Sequence, residues 1–124
     1  MKEIVLNDLF DYENLKIYQI KGNFKFSLDS LLLAEYVKIR KGTKNILDLC
    51  TGNAPIPMIL TRNTSAKIDA FEIQKDIYDL GINSISYNKL NNQISLYNYD
   101  IKNIDEVIKK KKYDIITSLI GFYK

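Results

Sequence analysis

Residues 45–57, NILDLCTGNAPIP, constrain the fold more than any other stretch, because an apolar run ending in an acid passes straight into a turn of small residues. Such a run reads as a buried strand, and the prolines at positions 55 and 57 read as the first turn of a helix. A second apolar run, residues 66–71, ends directly in Glu72. Two strands that each deliver an acid to one end of a sheet begin a nucleotide-type ligand site.

From residue 45 onward, short apolar runs alternate with helical patterns, the rhythm of an α/β fold with a parallel sheet flanked by helices. The patterns predict strands at 46–49, 67–71, 94–98 and 113–118, and helices at about 56–62, 74–88 and 104–110. In the second helix Ile73, Ile77, Leu80, Ile82 and Ile85 fall near one face, with Lys75, Asp76 and Asp79 opposite. Upstream, residues 15–20 read as a short strand and 23–29 as a loop leading into a helix over about 28–39. Ser27 is placed to cap that helix, Asp29 to face the positive end of its dipole, and Lys41-Gly42 to end it.

The 124 residues fit a single domain with one core. Residues 1–44 form its N-terminal segment and 45–124 its cofactor-binding βαβα core. Apolar residues make up 46% and charged residues 27%, a globular rather than disordered balance. The start, MKEIVLNDLFDYEN, mixes acids into its apolar positions, and no apolar run is long enough to cross a bilayer. A cytoplasmic location without a membrane partner is therefore expected.

The chain has no histidine, which excludes imidazole catalysis and histidine-ligated metals. Cys50 is the only cysteine, with no histidine to activate it as a nucleophile. Sixteen lysines against two arginines suit contact with phosphates more than the reading of base edges. The lysine run at 109–112 reads as a solvated helix end in preference to an RNA-binding patch.

Backbone amides in the turn after the first strand can face a ligand only where side chains are small, as at Cys50, Thr51, Gly52 and Ala54. Gly52 is the position for close approach. The loop is not GxGxxG, which disfavours a nicotinamide dehydrogenase. Asp48 is placed to hold a cationic amine, Glu72 to accept from two ribose hydroxyls, and Asp100 to accept from an adenine amino group. Each acid alone also reads as a cap or a solvated group, but their spacing brings all three to one crevice.

Four segments make the sequence recognisable: FKFSLDSLLLAEY at 24–36, NILDLCTGNAPIPMIL at 45–60, FEIQKDIYDLGINSISYNKLNNQI at 71–94 and YDIITS at 113–118. Through them the chain resembles S-adenosylmethionine-dependent methyltransferases of the Rossmann-like class I fold. The likeness is greatest to the bacterial family that methylates N6 of an adenosine next to the anticodon of a valine tRNA. The resemblance implies S-adenosylmethionine as cofactor and tRNA as substrate. It places Phe26, Ser27 and Asp29 over the methionine end of the cofactor, with Asp48, Thr51, Gly52 and Asn53 lining the loop below. Glu72 matches the ribose-binding acid, with Ile73 beside it, and Tyr99 with Asp100 matches the adenine-side contacts.

One departure stands against these agreements. The family carries Asn-Pro-Pro and an aromatic after the fourth strand, where this chain has Leu119, Ile120, Gly121 and Phe122. Phe122 retains a ring to stack on a base, but the Leu119 side chain accepts no hydrogen bond from the target amine. Losing such an acceptor is expected to cost on the order of 10²-fold or more in rate. Ending at Lys124, the chain reads as the family fold truncated after its fourth core strand. That strand is expected to expose an edge, to make the isolated chain marginally stable, and to favour self-association or pairing with a separate C-terminal fragment. Two alternatives follow: a non-catalytic remnant or split-enzyme half that binds cofactor or a partner chain, and a methyltransferase of another planar amine or amide.

Overall fold

The structure, a computed structural model, describes residues 2–10, 12, 14–22 and 28–118. The chain opens with an antiparallel hairpin of β1 (Ile4–Asp8) and β2 (Lys16–Ile20), in register from Ile4 opposite Ile20 to Asp8 opposite Lys16. After α1 (Leu28–Tyr36) the chain enters the central sheet with β3 (Asn45–Leu49), followed by α2 (Pro55–Leu60), β4 (Lys67–Phe71), α3 (Lys75–Tyr87) and β5 (Ile94–Tyr97). A short 3-10 turn at Ile101–Asn103 leads into α4 (Ile104–Lys110) and β6 (Ile115–Ser118).

The four later strands pair in parallel in the order β5-β4-β3-β6, so β3 lies between β4 and β6. Its central residues Ile46, Leu47 and Asp48 are all buried, as befits an inner strand of a parallel sheet flanked by helices. Every residue of α2 is buried, with Ile59 and Leu60 packing into the core beside Ile46 and Ile68. The proline at the first helical position fits because its missing N–H would have had no partner there.

The expected rhythm is present, with informative differences. The hairpin contains β1, which has no counterpart in the sequence reading. Along β2, Ile17 and Gln19 are buried while their neighbours are half-buried. The strand packs on α3, where Tyr18 N donates to Ser84 Oγ at 2.8 Å, Lys16 N donates to Asn88 Oδ1 at 3.0 Å, and Asn88 Nδ2 donates to Lys16 O at 2.7 Å. The buried face of α3 is accordingly Leu80, Gly81, Ser84 and Ile85, while Ile73 precedes the helix and is 58% exposed. Hydrophobicity alone could not mark this face, because docking a strand edge needs small and polar residues.

The first helix ends at Tyr36 instead of residue 39, and the chain then turns, with Thr43 N and Oγ1 donating to Arg40 O at 3.1 and 2.7 Å. The last strand starts at Ile115 instead of residue 113, because Asp114 caps two neighbouring amides. Its Oδ2 accepts from Lys44 N at 2.7 Å and Asn45 N at 3.0 Å, which holds its carboxyl below the usual carboxylate range. No helix among the described residues is long and apolar enough to cross a membrane. The proposed cap Ser27 lies outside the described residues.

Candidate functional site

The parallel strands deliver Asp48, Glu72 and Asp100 to the carboxyl end of the sheet, the end at which open α/β folds form ligand crevices. The loop between β3 and α2 sets the geometry. Cys50, Gly52 and Ala54 have φ values of 55, 64 and 72°, so every second residue of residues 50–54 is left-handed. Two of the three are not glycine and carry a steric cost, which persists only where surroundings over-determine the conformation.

Two buried carboxylates supply that determination. From below, Asp48 is fully buried; its Oδ2 accepts from Thr51 Oγ1 at 2.6 Å and its Oδ1 from Thr117 Oγ1 at 2.6 Å. Burial pushes its carboxyl up to about 6, against the opposing pull of the Thr117 and Thr51 hydroxyls. From the side, Glu72 presents Oε1 to Gly52 N at 2.9 Å and Oε2 to Gln74 N at 2.9 Å. Thr51 N adds a hydrogen bond of 2.9 Å to Phe71 O, fastening the loop to the end of β4.

The third acid is placed differently. Asp100 Oδ1 accepts from Lys102 N at 2.9 Å and caps the 3-10 turn. Tyr99 N donates to Glu72 O at 3.2 Å, and its ring lies 5.0 Å from that of Phe71. Asn98 Nδ2 bridges the carbonyls of Glu72 and Ile73 at 2.8 and 2.9 Å. Exposed Ile73 follows Glu72 in the chain and half-buried Tyr99 bonds the Glu72 backbone, so apolar and aromatic surface lies at this end of β4.

Asn53 Nδ2 donates to Tyr18 O at 2.9 Å, tying the loop to the hairpin. A Cβ on Gly52 would meet nothing within 4 Å, so the requirement for glycine there is the backbone conformation and not crowding. Crowding acts instead at Gly81. A Cβ there would lie 2.6 Å from Leu96 Cδ2 and 3.4 Å from the Asn53 backbone. Asp29 is exposed in the first turn of α1.

Phe26, Ser27, Leu119, Ile120, Gly121 and Phe122 lie outside the described residues. Three contributors were missed in the sequence: Thr117, Gly81 and Asn98. Thr117 reaches Asp48 only because β3 and β6 pair with those two residues opposite each other. Local pattern carries no signal of that kind. Burial also pushes the Cys50 thiol upward, with Glu72 and Asp48 acting in the same direction, which disfavours the thiolate.

No protein-family model matches the chain. A curated tRNA1(Val) (adenine(37)-N6)-methyltransferase from Cytophaga hutchinsonii is 26% identical over 117 residues, covering 94% of this chain and 49% of that protein. A curated protein of the same name from Tolumonas auensis is 28% identical over 111 residues, covering 88% of this chain and 45% of its own length. The chain therefore spans about half the length of the curated relatives it matches. Among solved structures, a SAM-dependent methyltransferase from Agrobacterium tumefaciens matches with a TM-score of 0.70 at 13% identity, over 95% of this chain and 40% of that one. The chain has the Rossmann-like methyltransferase fold, and across about nine-tenths of its length its sequence is similar to bacterial tRNA1(Val) (adenine(37)-N6)-methyltransferases.

Proposed function

We propose that this chain binds S-adenosylmethionine and provides the cofactor-binding part of an enzyme that methylates N6 of an adenine in tRNA. The observation that carries the reading is the Glu72 carboxylate, buried at the end of β4 and held by Gly52 N and Gln74 N. A carboxylate fixed by two amides keeps lone pairs for a pair of ribose hydroxyls, and exposed Ile73 with Tyr99 supplies surface for a flat base. The donor set thus fits the nucleoside part of the cofactor. Bound there, S-adenosylmethionine supplies an electrophilic methyl group.

The chain's own residues bind and orient. Glu72 and Asp100 serve the ribose and adenine, while Thr51, Gly52 and Asn53 form the loop wall that Asp48 supports. Asp29, Phe26 and Ser27 close the methionine end, and Phe122 stacks on the target base. Residues 1–124 act as one domain, and the protein works in the cytoplasm. The names of the curated relatives support tRNA as substrate. Incubation with radiolabelled cofactor and a valine tRNA transcript tests the assignment. Cofactor binding is expected, with label reaching the transcript on the order of 10²-fold or more slowly for want of a side-chain acceptor at Leu119 and disappearing when guanosine replaces the target adenosine; absence of cofactor binding overturns it.

A second reading gives the chain a role through pairing with another chain, either a second copy or a separate C-terminal fragment. Its support is β6, at an edge of the described sheet, where Ile116 is 48% exposed. Sedimentation of the purified chain tests it, since a concentration-independent monomer that stays folded counts against self-pairing.

A further inference from the structure

Charge is sharply divided between the two ends of the sheet. Because β3, β4, β5 and β6 are all parallel, the segments before each strand gather at one end, opposite the Glu72 crevice. Residues 37–45, 61–67, 88–93 and 109–114 make up this end. They hold eleven of the chain's eighteen lysines and arginines but only Asp114 of its fifteen acids. A surplus of ten positive charges therefore sits on a chain whose total is +3.

The segments are neighbours in space. Lys67 N donates to Lys44 O at 2.9 Å, Ile68 N to Gln93 O at 2.9 Å, and Asp114 N to Asn45 O at 2.8 Å. Asp114, the only acid, is turned onto the amides of Lys44 and Asn45. Lys111 is neutralised by Asp69, 2.9 Å away, and Lys67 Nζ donates to Asn92 O, but Lys38, Arg40, Lys41, Lys44, Lys109, Lys110 and Lys112 are exposed. Lys38, Arg40, Lys41, Gly42 and Thr43, with Asp114 and Ile115, line an open groove of about 410 Å³. At the end of α1, next to these cations, Tyr36 is 84% exposed.

We propose that this basic rim is a second RNA-binding surface, holding the phosphate backbone of the substrate RNA away from the cofactor crevice. A polyanion is the partner that a one-sided cationic surface attracts, and lysines grip phosphates without reading sequence. The exposed Tyr36 ring, two residues before Lys38, suits stacking on an unpaired base, and the residues between the cations are mostly Asn, Thr, Ser and Gly instead of the aliphatic side chains that a lipid surface requires. The five residues of β3 separate this rim from the crevice by roughly 15 Å, so one folded RNA can reach both.

The proposal rests on RNA as the substrate class. Its test is fluorescence anisotropy of a labelled valine tRNA transcript with the 124-residue chain, over a series of salt concentrations. Lys38→Gln/Arg40→Gln/Lys41→Gln is expected to weaken binding about tenfold or more and to lower the salt slope by roughly 2–3. Lys109→Gln/Lys110→Gln/Lys112→Gln, across the rim, is expected to act in the same direction. Lys2→Gln/Lys16→Gln/Lys21→Gln removes the same charge from the hairpin and is expected to change affinity less than twofold, with circular dichroism melts confirming that all variants fold. Equal losses in rim and hairpin variants, no loss in either rim variant, or wild-type chain that ignores tRNA but binds anionic phosphatidylserine vesicles would each overturn the proposal. Calorimetry with S-adenosylhomocysteine separates the two readings: rim-dependent tRNA binding without cofactor binding sustains the rim and sinks the cofactor assignment.

Discussion

The amide of Gly52 donates to Glu72 Oε1 at 2.9 Å, while the other oxygen of that carboxylate accepts from Gln74 N at 2.9 Å. One side chain thus joins the loop after β3 to the start of α3. With Asp48 holding Thr51 from beneath, the left-handed loop is fastened from two directions, by groups twenty residues or more apart in the case of Glu72. A loop fastened this way is shaped before any ligand arrives, which would reduce the ordering cost of binding in the proposed site.

Replacing Glu72 with glutamine should weaken the loop even without ligand. An amide can accept from one backbone N–H but turns its own N–H₂ towards the other. Loss of a largely buried, charge-assisted pair is expected to cost about 1–3 kcal/mol in urea denaturation. Hydrogen exchange at Gly52 and Gln74 should accelerate in the variant, while exchange in β2 stays unchanged.

Asp48 should give the fold an unusual pH response. Its carboxyl rises from 3.8 to about 6, so between those values the folded chain keeps a proton that the unfolded chain has released. The contribution of this group is therefore full below about pH 4 and falls as the pH rises through 6. At ~1.4 kcal/mol per pKa unit, the change is about 3 kcal/mol. Urea midpoints measured at pH 4, 5, 6 and 7 should fall along that series and flatten in Asp48→Asn. Asp114, whose carboxyl is lowered, acts with the opposite sign below this window.

Thr117→Val keeps the shape of the side chain and removes the hydroxyl that donates to Asp48. The variant should lose roughly 1.5–3 kcal/mol at pH 7, the range for a hydrogen bond to a charged group. It should lose less at pH 4, where the carboxyl is protonated. In an Asp48→Asn background the effect should shrink, and a double-mutant cycle by urea denaturation measures that coupling.

The two glycines near the loop should respond for different reasons. Gly52→Ala meets open space but must hold a φ of 64°, and is expected to cost about 1 kcal/mol through the backbone alone. Gly81→Val drives a branched side chain against Leu96 and the Asn53 backbone, and overpacking of this kind costs about 1–3 kcal/mol or more. Thermal melts rank the pair, and methyl chemical shifts of Leu96 should move in Gly81→Val but not in Gly52→Ala.

The strand–helix alternation from β3 to β6 was legible because each strand is a short apolar run and each helix has its own period. Asp48 and Glu72 were legible as acids at the carboxyl end of the sheet because each stands at or next to the end of such a run. Their partners were not, since Thr117 meets Asp48 through strand register and Asn98 meets Glu72 across a turn. The hairpin was half legible: β1 has only a three-residue apolar run followed by Asn7 and Asp8, with no residue buried, and its partner β2 docks through Ser84 and Asn88, which no hydrophobic pattern marks. The run at 109–112 is the solvated helix end that the sequence indicates, with Lys109 and Lys110 exposed in the last turn of α4, and the pairing of β6 with β3 sets it near the segment that precedes β3, which no local pattern marks.

Calorimetric titration of the folded chain with S-adenosylhomocysteine, alongside Glu72→Ala, tests the cofactor assignment most directly. One-to-one binding, weakened about tenfold or more in the variant, is the expected result for a lost charge-assisted hydrogen bond. Absence of binding at millimolar ligand, or equal affinity in the two proteins, would contradict the account.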